Sequence, residues 1–401
     1  MPNFIHTKAN DQILAFLTFL FLVSNYLLGA NAYGSWVLLG VTLLFLVLSN
    51  FKFQFETFHL FVLQFILYCY ATSMWAYNYR TALTMANTLM ELLICLSVMY
   101  WHFKRFRDVT QLMNIMMWAG YVVVIYSYFY YGVTNVAVTG EDNERLGNTF
   151  NNINTLSMLA ATVVVINFFF FFFRKASWLM MVLVLIALVF IFRSESRKSL
   201  VIVGFGVLFL YFLKYMRSKK KSLAPFLKFF GFFVLFVAIL LALSKTALFE
   251  GAANRFMGMV SWFTGEGEVD ASTELRMELR NVGWEQFRKT PWLGVGMNCS
   301  QYLASMNIGE RMYLHDNYAE MACNGGIFGL ISYYCIFGYL FLQERKYLKV
   351  DDMANLVFTL IVLRFITDMG AVSYFTKVTY LQLMIYFLHL ESCKIKYPQI
   401  K

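Results

Sequence analysis

Apolar stretches of about 20 residues, the length a helix needs to cross a hydrocarbon layer, recur along this chain. Short polar segments rich in Lys and Arg separate them. Hydrophobic residues make up 60% of the 401 residues and charged ones 14%, against about 45–50% and about 25% in a soluble domain. These proportions exclude a soluble enzyme, a disordered chain and a disulfide scaffold. They leave an all-α, polytopic membrane protein. About twelve transmembrane helices are expected, near residues 12–30, 34–50, 58–77, 82–101, 112–131, 153–173, 177–192, 199–214, 226–243, 317–341, 354–370 and 372–389. The run Phe168–Phe173 reads as lipid-facing bulk.

The net charge of +10 does not point to nucleic acid. More than half of the 33 Lys and Arg residues fall in alternate short connections, the pattern that fixes orientation in a bilayer. The cluster Arg217–Lys221 is the strongest anchor. With those connections inside, both termini are cytoplasmic and the acidic segment Glu141–Glu144 is outside. Three segments follow: a transmembrane bundle at 1–243 with about nine spans, one large extracytoplasmic loop at 244–316, and a second bundle at 317–401 with about three. A loop of that length is usually functional. The six Cys form no CxxC pair, so no zinc knuckle or redox motif is expected. Neither a metal nor a cofactor is expected.

Several basic residues lie where orientation does not require them. Arg193-Ser194-Glu195-Ser196-Arg197-Lys198 joins two spans at the outer surface. Arg193 and Arg197 share a helical face if the helix continues through the turn. With the serines they make a phosphate clamp, unless the segment is simply solvated. Leu275, Leu279, Val282 and Gln286 have helical spacing, and Arg276, Arg280 and Gly283 follow on a neighbouring face. That arginine face is either a binding face or a solvated one. In Pro291-Trp292-Leu293-Gly294-Val295-Gly296 consecutive amides can cradle an anion, but no Gly-Lys-Ser/Thr follows, so this is not a nucleotide loop.

His315 is the one histidine of five that falls outside, just before a span. A neutral imidazole there can take a proton from a hydroxyl, with Asp316 or Glu320 to orient it. Within the membrane, Arg364 and Asp368 are four apart. They form either a self-neutralising pair or part of a cavity wall for a charged lipid head. Gly325-Gly326-Ile327-Phe328-Gly329 permits close helix packing or a local break.

These pieces together resemble the O-antigen ligase and polymerase superfamily, the Wzy/WaaL-like membrane glycosyltransferases. The resemblance rests on an Arg-bearing helix followed by WEQFRKTPWLGVG, then HDNYAEMACNGGIFGLISYY, with the earlier Ser194-Glu195-Ser196-Arg197 as a Ser-x-Ser-Arg element. It is strongest over about 190–335. Glu195 departs from it, being acidic where a small or neutral residue is expected, and two helix arginines compete for one role.

The resemblance implies transfer of a glycan from a polyprenyl diphosphate carrier at the outer face of the cytoplasmic membrane. His315 would be the catalytic residue, partnered by Asp316 or Glu320. Arg276 or Arg280 would be the helix arginine and Arg197 that of the shorter loop; the chemistry itself, charge neutralisation on a leaving diphosphate, places Arg197, Arg276, Arg280 and Arg364 around it. The implied partners are the polyprenyl-diphosphate-linked oligosaccharide and an acceptor glycan or lipid-linked repeat unit, with a chain-length regulator and a flippase as further ones. A polymerase of O-antigen, capsule or exopolysaccharide is expected ahead of a ligase. A secondary transporter or flippase of lipid-linked sugars is the rival outside the family, although no internal repeat is visible.

Overall fold

The computed structural model describes residues 8–28, 32–49, 51–131, 153–174, 177, 179–194, 196–217, 227, 231 and 271–400. The expected ninth span, the acidic segment at 141–144, Glu195 and the first part of the long loop lie outside the described residues. Among the described residues the structure is α-helical throughout, with no strand. The helices are α1 (Lys8–Leu28), α2 (Ala32–Leu48), α3 (Thr57–Thr72), α4 (Tyr79–Lys104), α5 (Thr110–Tyr131), α6 (Ile153–Arg174), α7 (Leu179–Arg193), α8 (Arg197–Arg217), α9 (Ala271–Lys289), α10 (Ser300–Ile308), α11 (Asn317–Glu344), α12 (Asp352–Thr367) and α13 (Lys377–Lys396).

Each expected apolar stretch within the described residues forms one helix. Twelve spans are not shown among the described residues. Among the described residues five helices are long and apolar enough to cross a membrane, at Tyr79–Lys104, Thr110–Tyr130, Ile153–Arg174, Arg197–Arg217 and Asn317–Tyr347. Trp36–Leu48, Thr57–Thr72 and Met180–Arg193 are apolar but shorter. The chain is a multi-pass membrane protein. One hydrophobic core runs from Leu14 to Cys393, so the helices before and after α9 share a single interior. The phenylalanine run is not simply lipid-facing. Phe169 is fully buried and Phe170 nearly so, while Phe171 is exposed, because helical periodicity turns neighbouring positions to opposite sides.

Polar contacts sort the helix ends into two faces. At one face the ends of α4, α8 and α13 carry their terminal basic residues into ion pairs: Lys104 with Glu56, Arg217 with Asp352, Lys396 with Asp351. Asp351 also caps α12, accepting from the amides of Met353 and Ala354. Burial pushes its carboxyl up, but His389 and Lys396 outweigh that and hold it well below the usual carboxylate range. The opposite face carries the ends of α3 and α7, the starts of α4, α6, α8, α11 and α13, and the whole segment from α9 to His315. There Thr72 Oγ1 accepts from Met297 N at 3.2 Å, and Tyr77 N donates to Val295 O at 2.7 Å.

A helix break organises that face. Gly326 in α11 has φ 59° and ψ −159°, a conformation essentially closed to residues with a side chain. The break frees carbonyls that hydrocarbon cannot satisfy. The Pro291–Gly296 loop fills the gap: Val295 N donates to Cys323 O at 3.0 Å and Gly296 N to Asn324 O at 2.9 Å. In return Ile327 N donates to Pro291 O at 2.8 Å. The Tyr68 hydroxyl donates to Gly325 O at 2.5 Å.

A Cβ at Gly326 would run into the backbone of Trp292 and Leu293. Gly326→Val is expected to cost at least about 1–3 kcal/mol from backbone strain alone. Thermal melting of the purified protein in detergent should show a clear drop, and an unchanged melting temperature would contradict the seating of the loop in the break.

Candidate active site

The helix that carries the loop arginines is seated by its apolar face. Leu279 is fully buried in a small cluster with Ala304, Leu314, Ala319 and Cys323, and Leu275 and Trp284 pack against it. Gly283 belongs to this packing face and not to the arginine face expected from its spacing. A Cβ there would meet Leu314 Cδ1 at 2.5 Å and Ala319 O at 3.2 Å. The missing side chain lets α9 lie directly against the residues on both sides of His315. Arg276 and Arg280 are half-buried one turn apart. Among the described residues the Arg280 side chain makes no hydrogen bond.

His315 is held in a conformation rare for a residue with a side chain, φ 56°. Left-handed backbone costs about 1–2 kcal/mol outside glycine, and such strain survives only where the surroundings impose it. Here they do. Asp316 caps α11, its Oδ1 accepting from Tyr318 N at 2.9 Å and Ala319 N at 3.0 Å. Glu320 is fully buried and braces the other side. Its carboxylate accepts from Leu314 N at 2.9 Å, Ser300 Oγ at 2.5 Å and Asn324 Nδ2 at 3.2 Å. Glu320 thus fixes the backbone immediately before His315.

Positive charge converges on Asp316. Burial pushes its carboxyl above the usual range, while the amides of Ala319 and Tyr318 and the charges of Arg280 and Lys198 pull it back. Lys198 feels both Arg276 and Asp316. Lys198 of α8 and Asp316 at the cap of α11, the residue after His315, thus interact with each other, and each with one arginine of α9. Lys198 is also anchored, its Nζ donating to Gly370 O.

The turn between α7 and α8 differs from expectation. α7 ends at Arg193 and α8 starts at Arg197, so the two arginines do not share one helical face. The serines do not form a clamp with them. Ser194 Oγ is bonded to Ser157 Oγ and Ile191 O, both at 2.7 Å, and Ser199 Oγ donates to Ser196 Oγ at 2.9 Å. They hold the turn together in a buried setting. Arg197 is half-buried at the head of α8. Arg193 is 6% exposed, and its Nε finds no hydrogen-bond partner among the described residues.

The anion cradle expected at Gly294–Gly296 is corrected as well. Gly294 N donates to Thr290 O, and the amides of Val295, Gly296 and Met297 are all taken by the contacts with α11 and Thr72. None of these four is left for an anion.

Arg364 lies one layer behind His315. Its Nη2 donates to Gln382 Oε1 at 2.6 Å, and Nη1 is 3.6 Å from Asp368 Oδ1. Asp368 accepts from Tyr334 at 3.0 Å and from Asn317 Nδ2 at 3.2 Å, and its backbone oxygen takes the Asn317 amide at 2.7 Å. Asn317 Oδ1 in turn accepts from Ser373 N and Tyr374 N. These are the contacts of an internal polar support under the first turn of α11.

Sequence reasoning gave Asn317 and Asn324 no role, although Asn324 ties Cys299 N, Ser300 N, Glu320 and Tyr374 to α11. Among the described residues one cluster, Asp351, His389 and Cys393, has ligand atoms close enough to hold a metal ion. It lies at the opposite face, where His389 Nδ1 already contacts Glu344 at 3.0 Å.

Residues 182–334 match the family model Wzy_C, described as O-Antigen ligase. The match spans the α7–α8 turn, α9, the loop, His315 and the break in α11, the same residues that carried the resemblance. Over this region the chain is similar to the O-antigen ligase family. No curated protein matches the chain.

Gly283→Leu tests the seat of α9. It should displace the arginines from His315 and lower any activity of the site by about a hundredfold, as a displacement near 1 Å does. Circular dichroism should still show the wild-type helix content. A wild-type rate in this variant would show that the seat of α9 does not matter.

Proposed function

We propose that this protein transfers glycan from a polyprenyl diphosphate carrier to an acceptor hydroxyl, and that it acts as a polymerase of a surface polysaccharide. The observation that carries this reading is the placing of Arg280 and Lys198 around Asp316, with Arg276 beside Lys198, next to the strained His315.

Diphosphate is a good leaving group, so the enzyme has two tasks. It neutralises charge that grows on the leaving oxygen as the anomeric C–O bond breaks. It also takes the proton from the acceptor hydroxyl as the new glycosidic bond forms. His315 accepts that proton. Arg280 offers an open guanidinium fork to the phosphate oxygens, with Arg276, Arg197 and Lys198 around it. Asp316 and Glu320 serve the base by position: one caps α11 beside it, the other fixes Leu314 before it. Arg364 supports Asp368 and Asn317 behind it. The basic helix ends lie at the opposite face, which supports a cytoplasmic placement for them and an outer one for the site. Both termini are then cytoplasmic.

A ligase is the second reading, favoured by the description of the matched family as O-Antigen ligase. It uses the same donor and hands the finished glycan to a lipid or protein acceptor. A transporter or flippase of lipid-linked sugars fits less well, since the charged cluster sits at one face and not at mid-membrane.

Purified protein given a lipid-diphosphate-linked repeat unit as sole substrate should produce a ladder of longer lipid-linked chains. A product that forms only when a separate lipid or protein acceptor is added would establish the ligase. His315→Ala should abolish product from folded protein, and a normal ladder from that variant would sink the assignment of the base. Arg280→Ala should lose more activity than Arg276→Ala, by about tenfold or more, the worth of one charged hydrogen bond. Equal losses would remove the distinction between the two arginines.

A further inference from the structure

The face opposite His315 holds a cavity of about 1140 Å³ between the ends of α2, α4 and α13. Its rim is basic: Lys52, Lys104, Arg105 and Arg107 all line it. Two of these are neutralised, Lys104 by Glu56 and Arg105 by Asp11. The side chains of Lys52 and Arg107 make no hydrogen bond or ion pair among the described residues. Glu391 is the one acidic group on the wall, and Lys394 pairs with it at 2.7 Å. Ser49, also part of the lining, is 2% exposed, and its buried Oγ has no hydrogen-bond partner among the described residues. Leu46, Leu388 and Ile395 give the wall an apolar part, beside the polar Gln54, His102 and Ser392, and Trp101 also lines it.

We infer that this cavity binds one anionic phospholipid, its phosphate between Lys52 and Arg107 and its upper chains along the apolar wall. A phosphate or glycerol oxygen of the headgroup would supply the partner that Ser49 lacks. Two features choose a lipid over a free anion. The cavity exceeds the roughly 300–1,000 Å³ of ordinary small-molecule pockets, far more than a phosphate fills. It also pairs a cationic rim with a hydrocarbon wall at a helix-end face, the arrangement that captures anionic headgroups between membrane helices. The site is independent of the chemistry proposed at the opposite face.

The test uses the full-length protein, delipidated in detergent, with native mass spectrometry to count bound lipid. The probes are dioctanoyl phosphatidylglycerol, dioctanoyl phosphatidylcholine and inorganic phosphate. Phosphatidylglycerol should bind one per chain, about tenfold or more tightly than phosphatidylcholine. Lys52→Ala combined with Arg107→Ala should erase that preference, and Ser49→Ala should weaken it. Lys346→Ala with Lys349→Ala, basic residues of the same face outside the cavity, should leave it intact. Equal binding of the two lipids would overturn the inference. So would an equal loss in the control pair, which would mean diffuse surface charge. Displacement of phosphatidylglycerol by an equal concentration of inorganic phosphate would also overturn it, since the ligand would then be the free anion.

Discussion

The filled break in α11 is the constraint on which the rest of this face depends. A helix interrupted in an apolar setting exposes carbonyls that have no water to turn to. The amides of Val295 and Gly296 take those of Cys323 and Asn324, and Ile327 returns a hydrogen bond to Pro291. A loop is thereby fixed to a spanning helix through its backbone. The exchange sets where α9 ends and α10 begins, and so where the chain re-enters at His315. The glycines of the loop serve this contact; their amides are not an anion site.

Three polar side chains on the first two turns of α11 complete the framework. Asn317, Glu320 and Asn324 recur at a helical spacing and are fully buried. Each binds a different segment: Asn317 the 368–374 turn, Glu320 the backbone at Leu314, Asn324 the start of α10. Buried polar networks of this kind are costly unless every member is satisfied, and when satisfied they specify one arrangement. The strained backbone of His315 lies between the two most heavily braced points, Leu314 and Asp316. Preorganisation of a reacting group needs such bracing, because small displacements cost rate steeply.

Much of the architecture could be read from the residues, and the limits have physical causes. Apolar run length predicted α1 to α8 and α11 to α13, since a spanning helix is set by local composition. It could not tell which helices span, because end residues and neighbours decide that. The glycine pair in α11 announced a break or close packing, and Gly326 supplied the break. Helical spacing put Arg276 and Arg280 together on α9 but assigned Gly283 to their face, whereas its lack of a side chain seats the helix on Leu314. The serines near 194–199 and the amides near 294–296 looked available to an anion. Their partners, Ser157, Cys323 and Asn324, lie tens of residues away, beyond what local pattern can reveal. For the same reason the bracing roles of Asn317 and Asn324 were not legible, whereas Glu320 was expected beside His315.

In the proposed mechanism arginines hold the diphosphate and a histidine serves the acceptor. Binding measured apart from turnover tests it most directly, with a short-chain polyprenyl diphosphate lacking sugar titrated against purified protein. The account predicts that Arg280→Ala weakens binding by about tenfold or more, while His315→Ala binds as wild type. Equal weakening in both variants, or none in either, would contradict it.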